Sequence, residues 1–110
     1  MFGLGLLIPH YGTIVVNHNC VVGANCVLHT SVCIAGNNKK TFGDNIYIST
    51  CALLTGELNI YDNVTISANS FVNINFTKTN ILIGGSPAAI LKERQAWYME
   101  EGDFFLNRIV

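Results

Sequence analysis

The sequence predicts an all-β protein, a parallel β-helix of about four coils followed by a C-terminal helix and tail. An aliphatic or aromatic residue recurs every six positions through most of the chain. No helical 3.6-residue periodicity appears before residue 88, and Asn-rich corners separate the six-residue units.

The ladder residues are Val16, Val22, Leu28 and Ile34, then Phe42, Ile48, Leu54, Ile60, Ile66 and Val72. Between Ile34 and Phe42 two extra residues enter, and AGNNKKT has the Gly, Asn and Lys content of an exposed loop. Extended backwards, the series reaches Ile8 and Phe2, with another two-residue excess between Ile8 and Val16 beside His10 and Gly12. Both interruptions are candidate functional loops. The position four after each ladder residue is again small or apolar: Cys20, Cys26, Val32, Ile46, Ala52, Leu58, Val64 and Ser70. Asn25, Asn45, Asn63 and Asn69 fall at the corners, where a left-handed backbone suits Asn. Each unit therefore makes one strand and one corner, and three units close a triangular coil of roughly eighteen residues. Coils stack about 4.8 Å apart, so equivalent side chains form internal ladders.

After Val72 the pattern decays through NINFTKTN, recovers in Ile81-Leu82-Ile83, and turns at Gly84-Gly85-Ser86-Pro87. The stretch from Ala88 to about Glu101 suits a helix ended by Gly102, with Ile90, Leu91, Trp97 and Tyr98 against the last coil or a neighbouring subunit. The expected division is a β-helix over 1–87, with preceding sequence left open, and a helix and tail over 88–110. Phe104 and Phe105 in the tail await a covering surface.

With 110 residues, half of them apolar, the chain has room for one core and one domain. Six basic residues against seven acidic ones give none of the positive field that nucleic acid or an anionic membrane requires. The opening MFGLGLLIP is short, lacks a basic leader and runs straight into patterned sequence, so it reads as structure. Nothing reads as a membrane span. Cys20, Cys26, Cys33 and Cys51 lack CxxC spacing, and two of them occupy repeat positions; buried reduced thiols and a cytoplasmic location follow.

Two segments go beyond the repeat. LLIPHYGTIVV places a His and a Gly in an enlarged coil, and GGSPAAIL resembles a closing G-x-P-A motif. On these the chain resembles the serine O-acetyltransferases and their capsule-cluster relatives among the hexapeptide acyltransferases, over about residues 2 to 91. The resemblance supplies the left hand of the coils, which spacing alone does not give and which opposes the usual right-handed crossover.

The resemblance implies acetyl transfer from acetyl-CoA to a hydroxyl of a small acceptor such as serine, a serine-like metabolite or a sugar, in a homotrimer whose sites lie between neighbouring helices. It makes His10 the general base: an imidazole titrating near pH 6.5 takes the acceptor's proton as the oxygen attacks the thioester. His29 is a candidate for the acceptor pocket, whereas His18, between Asn17 and Asn19, reads as a solvated corner. Acetyl-CoA would lie along small residues at Ala35, Gly36, Thr50, Ala68, Ser86 and Pro87, although tight coils need small residues there in any case.

The family's longer loop, with a second His and an Arg that hold serine, is missing; NNKKTFGD is shorter. Lys39 and Lys40 read as solvated loop lysines that could pair with an acceptor carboxylate or a coenzyme phosphate. The family's Asp that orients the His lies upstream of this segment; either sequence preceding residue 1 supplies it, or the orienting group is absent or comes from another residue. These departures keep a non-catalytic trimeric scaffold as the alternative. The three His, spaced eight and eleven apart, do not match the close pair plus distant third of metal-dependent hydratases on this architecture, so no metal is expected.

Overall fold

In the computed structural model, which describes residues 2–101, the six-residue units become short strands on three faces. The first face stacks β1 (Val15–Val16), β4 (Cys33–Ile34), β7 (Leu53–Leu54) and β10 (Phe71–Val72). The second stacks β2 (Cys20–Val22), β5 (Lys40–Phe42) and β8 (Leu58–Ile60). The third stacks β3 (Val27–Leu28), β6 (Tyr47–Ile48), β9 (Val64–Ile66) and β11 (Ile81–Gly85), with β12 (Ala88–Glu93) beyond them. All pairings are parallel except β11 with β12. The coils form a left-handed β-helix of about four turns.

Register locates the two interruptions. Val15 pairs with Cys33 and Lys40 with Leu58, eighteen residues on, whereas Cys20 pairs with Lys40 and Val27 with Tyr47, twenty on. The first excess lies between Leu7, which pairs with Val27, and Val15; the second lies between Ile34 and Lys40. Each swells a corner and leaves the ladders in phase. From Val22 to Val72 every predicted ladder residue is buried, as are all eight residues four positions on. Burying a Val, Leu or Ile side chain contributes about 1.5–3 kcal/mol.

The corners are built as the sequence predicts. Asn25, Asn45, Asn63 and Asn69 have φ near +60°, and so do Ser31 and Cys51, which composition did not single out. Asn25 donates to Asn45 (3.1 Å) and Asn45 to Asn63 (2.8 Å), making an amide ladder up one edge. Beside it the Asp44 and Asp62 carboxylates accept from the Ala24 and Asp44 amides of the coils below. A Cβ on Gly43 would stand 2.0 Å from an Asp62 oxygen, so this close approach requires glycine.

Three expectations need correction. Ile8 is half exposed although the Leu7–Val27 bridge sets it in register with inward Leu28, because it stands on the end coil of the stack; Phe2, Ile14 and Val16 pack against the core from this end. Lys40 is not solvated: it is fully buried in the column between Cys20 and Leu58, its stem filling an apolar slot while Nζ donates to the Asn38 carbonyl at 3.2 Å. The helix does not begin at Ala88. Residues Ala88–Glu93 turn back as an antiparallel strand on β11, since pairing that open edge satisfies backbone groups a helix would leave unpaired on the sheet. The helix is only α1, Trp97–Glu101. Gly102, Phe104 and Phe105 lie outside the described residues.

Candidate active site

The edge between the third and first faces gathers most of the predicted site. Its first corner is the enlarged loop between Leu7 and Val15, which carries exposed His10. Gly12 has φ +148°, and a Cβ there would stand 2.7 Å from the Thr30 methyl, so the loop lies tight on the coil above only because Gly12 has no side chain. The His10 ring then faces His29, with centroids 6.0 Å apart and planes at 37°.

His29 directly follows the inward Leu28, so strand alternation turns it outward. Its Nε2 lies 2.6 Å from the Tyr47 hydroxyl, and the two rings stand 5.1 Å apart. Which atom carries the shared proton follows from the His29 tautomer. When Tyr47 donates, Nδ1 of His29 bears the hydrogen. Tyr47 is in turn packed against Trp97 (6.2 Å), whose buried indole N–H donates to the Asn25 carbonyl at 2.8 Å. Thus α1, far along the chain, braces the tyrosine that holds His29.

Farther up the same edge, Thr50 Oγ1 donates to the Thr30 carbonyl (2.6 Å), and the Asn69 amide caps the Thr50 carbonyl at 3.0 Å, bringing Ala68 above it. β11 runs parallel to β9 and continues past Ser67, so exposed Ser86 and Pro87 at its turn extend this line. Ala35 and Gly36 do not join it. They sit on the next edge, in the enlarged corner before β5, with the Gly36 Cβ position 3.8 Å from Lys40 Nζ. His18 lies exposed in its Asn corner.

Tyr47, Trp97 and the Asn25 carbonyl were missed in the sequence. Tyr47 was detectable in part, since it precedes inward Ile48 and shares the outward side with His29. The return of Trp97 across seventy-two residues left no local signal.

None of the four cysteines forms a disulfide, but only Cys20 and Cys26 are buried as expected; Cys33 is half-buried and Cys51, at a left-handed corner, is exposed. Burial raises the Cys20 thiol and pushes Cys26 up to about 12, so both stay protonated and act as core residues. Among the described residues no three His, Cys, Asp or Glu side chains converge as a metal site, and no helix is long and apolar enough to cross a membrane.

Repeat, register and loop placement define a protein of the hexapeptide-repeat β-helix class. No family model matches the chain. A serine acetyltransferase of Staphylococcus xylosus is 31% identical over 97 residues, covering 83% of this chain and 44% of that protein. The crystal structure of serine acetyltransferase from Brucella abortus strain S19 in complex with coenzyme A matches with a TM-score of 0.74 at 25% identity, over 86% of this chain and 40% of the other. Neisseria gonorrhoeae serine acetyltransferase in complex with serine matches with a TM-score of 0.70 at 26% identity, over 82% and 38%. Within its class the chain is therefore a serine O-acetyltransferase-like hexapeptide-repeat protein. It spans less than half the length of the curated relatives it matches.

Proposed function

We propose that the protein moves an acetyl group from acetyl-CoA to a hydroxyl of a small acceptor, with serine or a serine-like or sugar alcohol as the substrate class. The single observation that carries this is the placement of His10, on an enlarged loop, against the His29–Tyr47 pair at the foot of the edge that stacks Thr50, Ala68 and Ser86. The similarity to proteins solved with coenzyme A and with serine supports the two substrates.

In this reading His10 takes the acceptor's hydroxyl proton while the oxygen attacks the acetyl carbonyl. The tetrahedral intermediate collapses, the carbon–sulfur bond breaks, and the proton passes from His10 to the departing thiolate. His29 lines the acceptor side, its ring fixed by Tyr47. Thr50, Ala68, Ser86 and Pro87 of one protomer would face the coenzyme together with Ala35 and Gly36 of another, because the two groups lie on different edges. A homotrimer supplies that juxtaposition. It also gives a role to the outward column Val15, Cys33, Leu53 and Phe71 on the first face, where Val15 and Leu53 are exposed. A cytoplasmic setting fits the free thiols and the coenzyme.

Turnover of acetyl-CoA with L-serine and with sugar alcohols, comparing the wild type with His10→Ala, tests the proposal. The expected loss is about 10²–10⁴-fold in kcat. Equal turnover by a folded His10→Ala variant would refute His10 as the base. A folded wild type that turns over none of these acceptors would refute the function.

A further inference from the structure

Between the outer side of the third face and the segment 94–97 lies an open cavity of about 210 Å³. Tyr47, Ser49, Thr65, Arg94 and Trp97 line it, together with Ala68, which also stands on the line assigned to the coenzyme. Two polar atoms here are buried without a partner: the Thr65 hydroxyl oxygen, on a residue only 5% exposed, and Nε of Arg94. A buried hydroxyl or guanidinium N–H left unpaired costs roughly 1–3 kcal/mol, and more when charged. Both residues line this cavity.

The chemistry of the lining selects the ligand. Arg94 offers only donors, in a planar fork. Thr65 and Ser49 add hydroxyl donors. A set of donors around a fixed cation fits an anion with more than one acceptor oxygen, and the guanidinium fork matches a carboxylate. Size narrows the class. The volume equals about seven waters at ~30 Å³ each and lies below the roughly 300–1,000 Å³ of drug-sized sites, so a small anion fills it. The aromatic walls suit a short carbon chain.

We infer that this cavity binds a short-chain carboxylate, with Arg94 on the carboxylate and Thr65 donating to it. Tyr47 belongs both to the cavity wall and to the hydrogen bond that holds His29. An anion bound here therefore packs against the same ring that positions the candidate catalytic pair. The binding itself does not depend on the acetyl-transfer reading. The carboxylate is a separate effector: Leu7, Val27, Tyr47 and Thr65 stand on four successive coils, roughly 14 Å from first to last at ~4.8 Å per step, farther than a serine carboxylate held at Arg94 lies from a hydroxyl at His10.

Trp97 is the chain's one tryptophan and lines the cavity, so its emission reports occupancy directly. Acetate and L-serine are titrated into the wild type, Arg94→Gln, Thr65→Val and His10→Ala, with chloride at matched ionic strength as control. The wild type and His10→Ala should give a saturable change with similar Kd, chloride should give none, and Arg94→Gln and Thr65→Val should bind at least tenfold more weakly. Thr65→Val without ligand should melt at or above the wild type, because it removes an unpaired buried hydroxyl. In turnover assays acetate should act without competing with serine, and strict competition with serine would overturn the inference. The inference is overturned by the absence of saturation with either probe, by an unchanged Kd in Arg94→Gln, by loss of binding in His10→Ala, or by coenzyme A giving the same response and displacing acetate. A Thr65→Val variant melting several degrees lower would also overturn it, since the hydroxyl would then serve the fold.

Discussion

Asn45 stands at the centre of the amide ladder, and its replacement separates two contributions that the corner combines. Its side chain accepts from Asn25 at 3.1 Å and donates to Asn63 at 2.8 Å, while its backbone holds φ +59°. Two neutral hydrogen bonds contribute about 2 kcal/mol together, and the left-handed conformation costs an ordinary L-residue ~1–2 kcal/mol. Asn45→Ala loses both terms and should destabilise by about 3–4 kcal/mol. Asn45→Gly loses the hydrogen bonds but adopts the conformation freely, and should cost about 2–3 kcal/mol, including the entropy of glycine in the unfolded chain. Urea unfolding at one fixed protomer concentration measures both, with midpoints differing by roughly 0.5 M at a slope of about 2 kcal/mol/M. An alanine variant as stable as the glycine variant would show that the corner conformation carries no penalty and would refute the reasoning.

Other perturbations follow from the same geometry. Lys40→Met keeps the stem that fills the column between Cys20 and Leu58 and removes a buried ammonium, so thermal stability should stay level or rise; Lys40→Ala should cost about 2–4 kcal/mol through the cavity it leaves. Tyr47→Phe deletes the 2.6 Å bond to His29 and should lower kcat roughly five- to tenfold, with KM for acetyl-CoA unchanged in steady-state assays. Below pH 9 the Cys26 thiol is protonated in both folded and unfolded chains, and its contribution to stability is complete. From pH 9 towards 12 the unfolded thiol ionises first, so stability should fall by up to about 1.4 kcal/mol per pH unit, and Cys26→Ala should flatten that part of the denaturation profile.

The ladders were legible because a prism with one inward residue per unit writes its period directly into the sequence, and Val22 to Val72 obey it without exception. Both enlarged corners were legible for the same reason, as phase shifts of two residues. Lys40 was misread because loop composition was weighed above register: two positions before Phe42 is the slot that Cys20 holds before Val22 and Leu58 before Ile60. The helix assigned to Ala88 was misread because AAILKER favours a helix intrinsically, and an open sheet edge beside it overrode that preference. In the candidate site His10 and its loop were visible, and His29 was visible as a candidate. The Trp97–Asn25 contact that braces Tyr47 arises only when the third face is assembled.

The reversal at Ser86-Pro87 has a bearing on solubility. Parallel coils end in a row of free amides and carbonyls that another chain could extend indefinitely, the geometry of a growing fibril. β12 occupies that row on the third face with the opposite polarity, and its outer residues include Lys92 and Glu93, both exposed. An incoming strand would meet the wrong direction and a pair of hydrated charges, so on this face the stack is closed to unlimited addition.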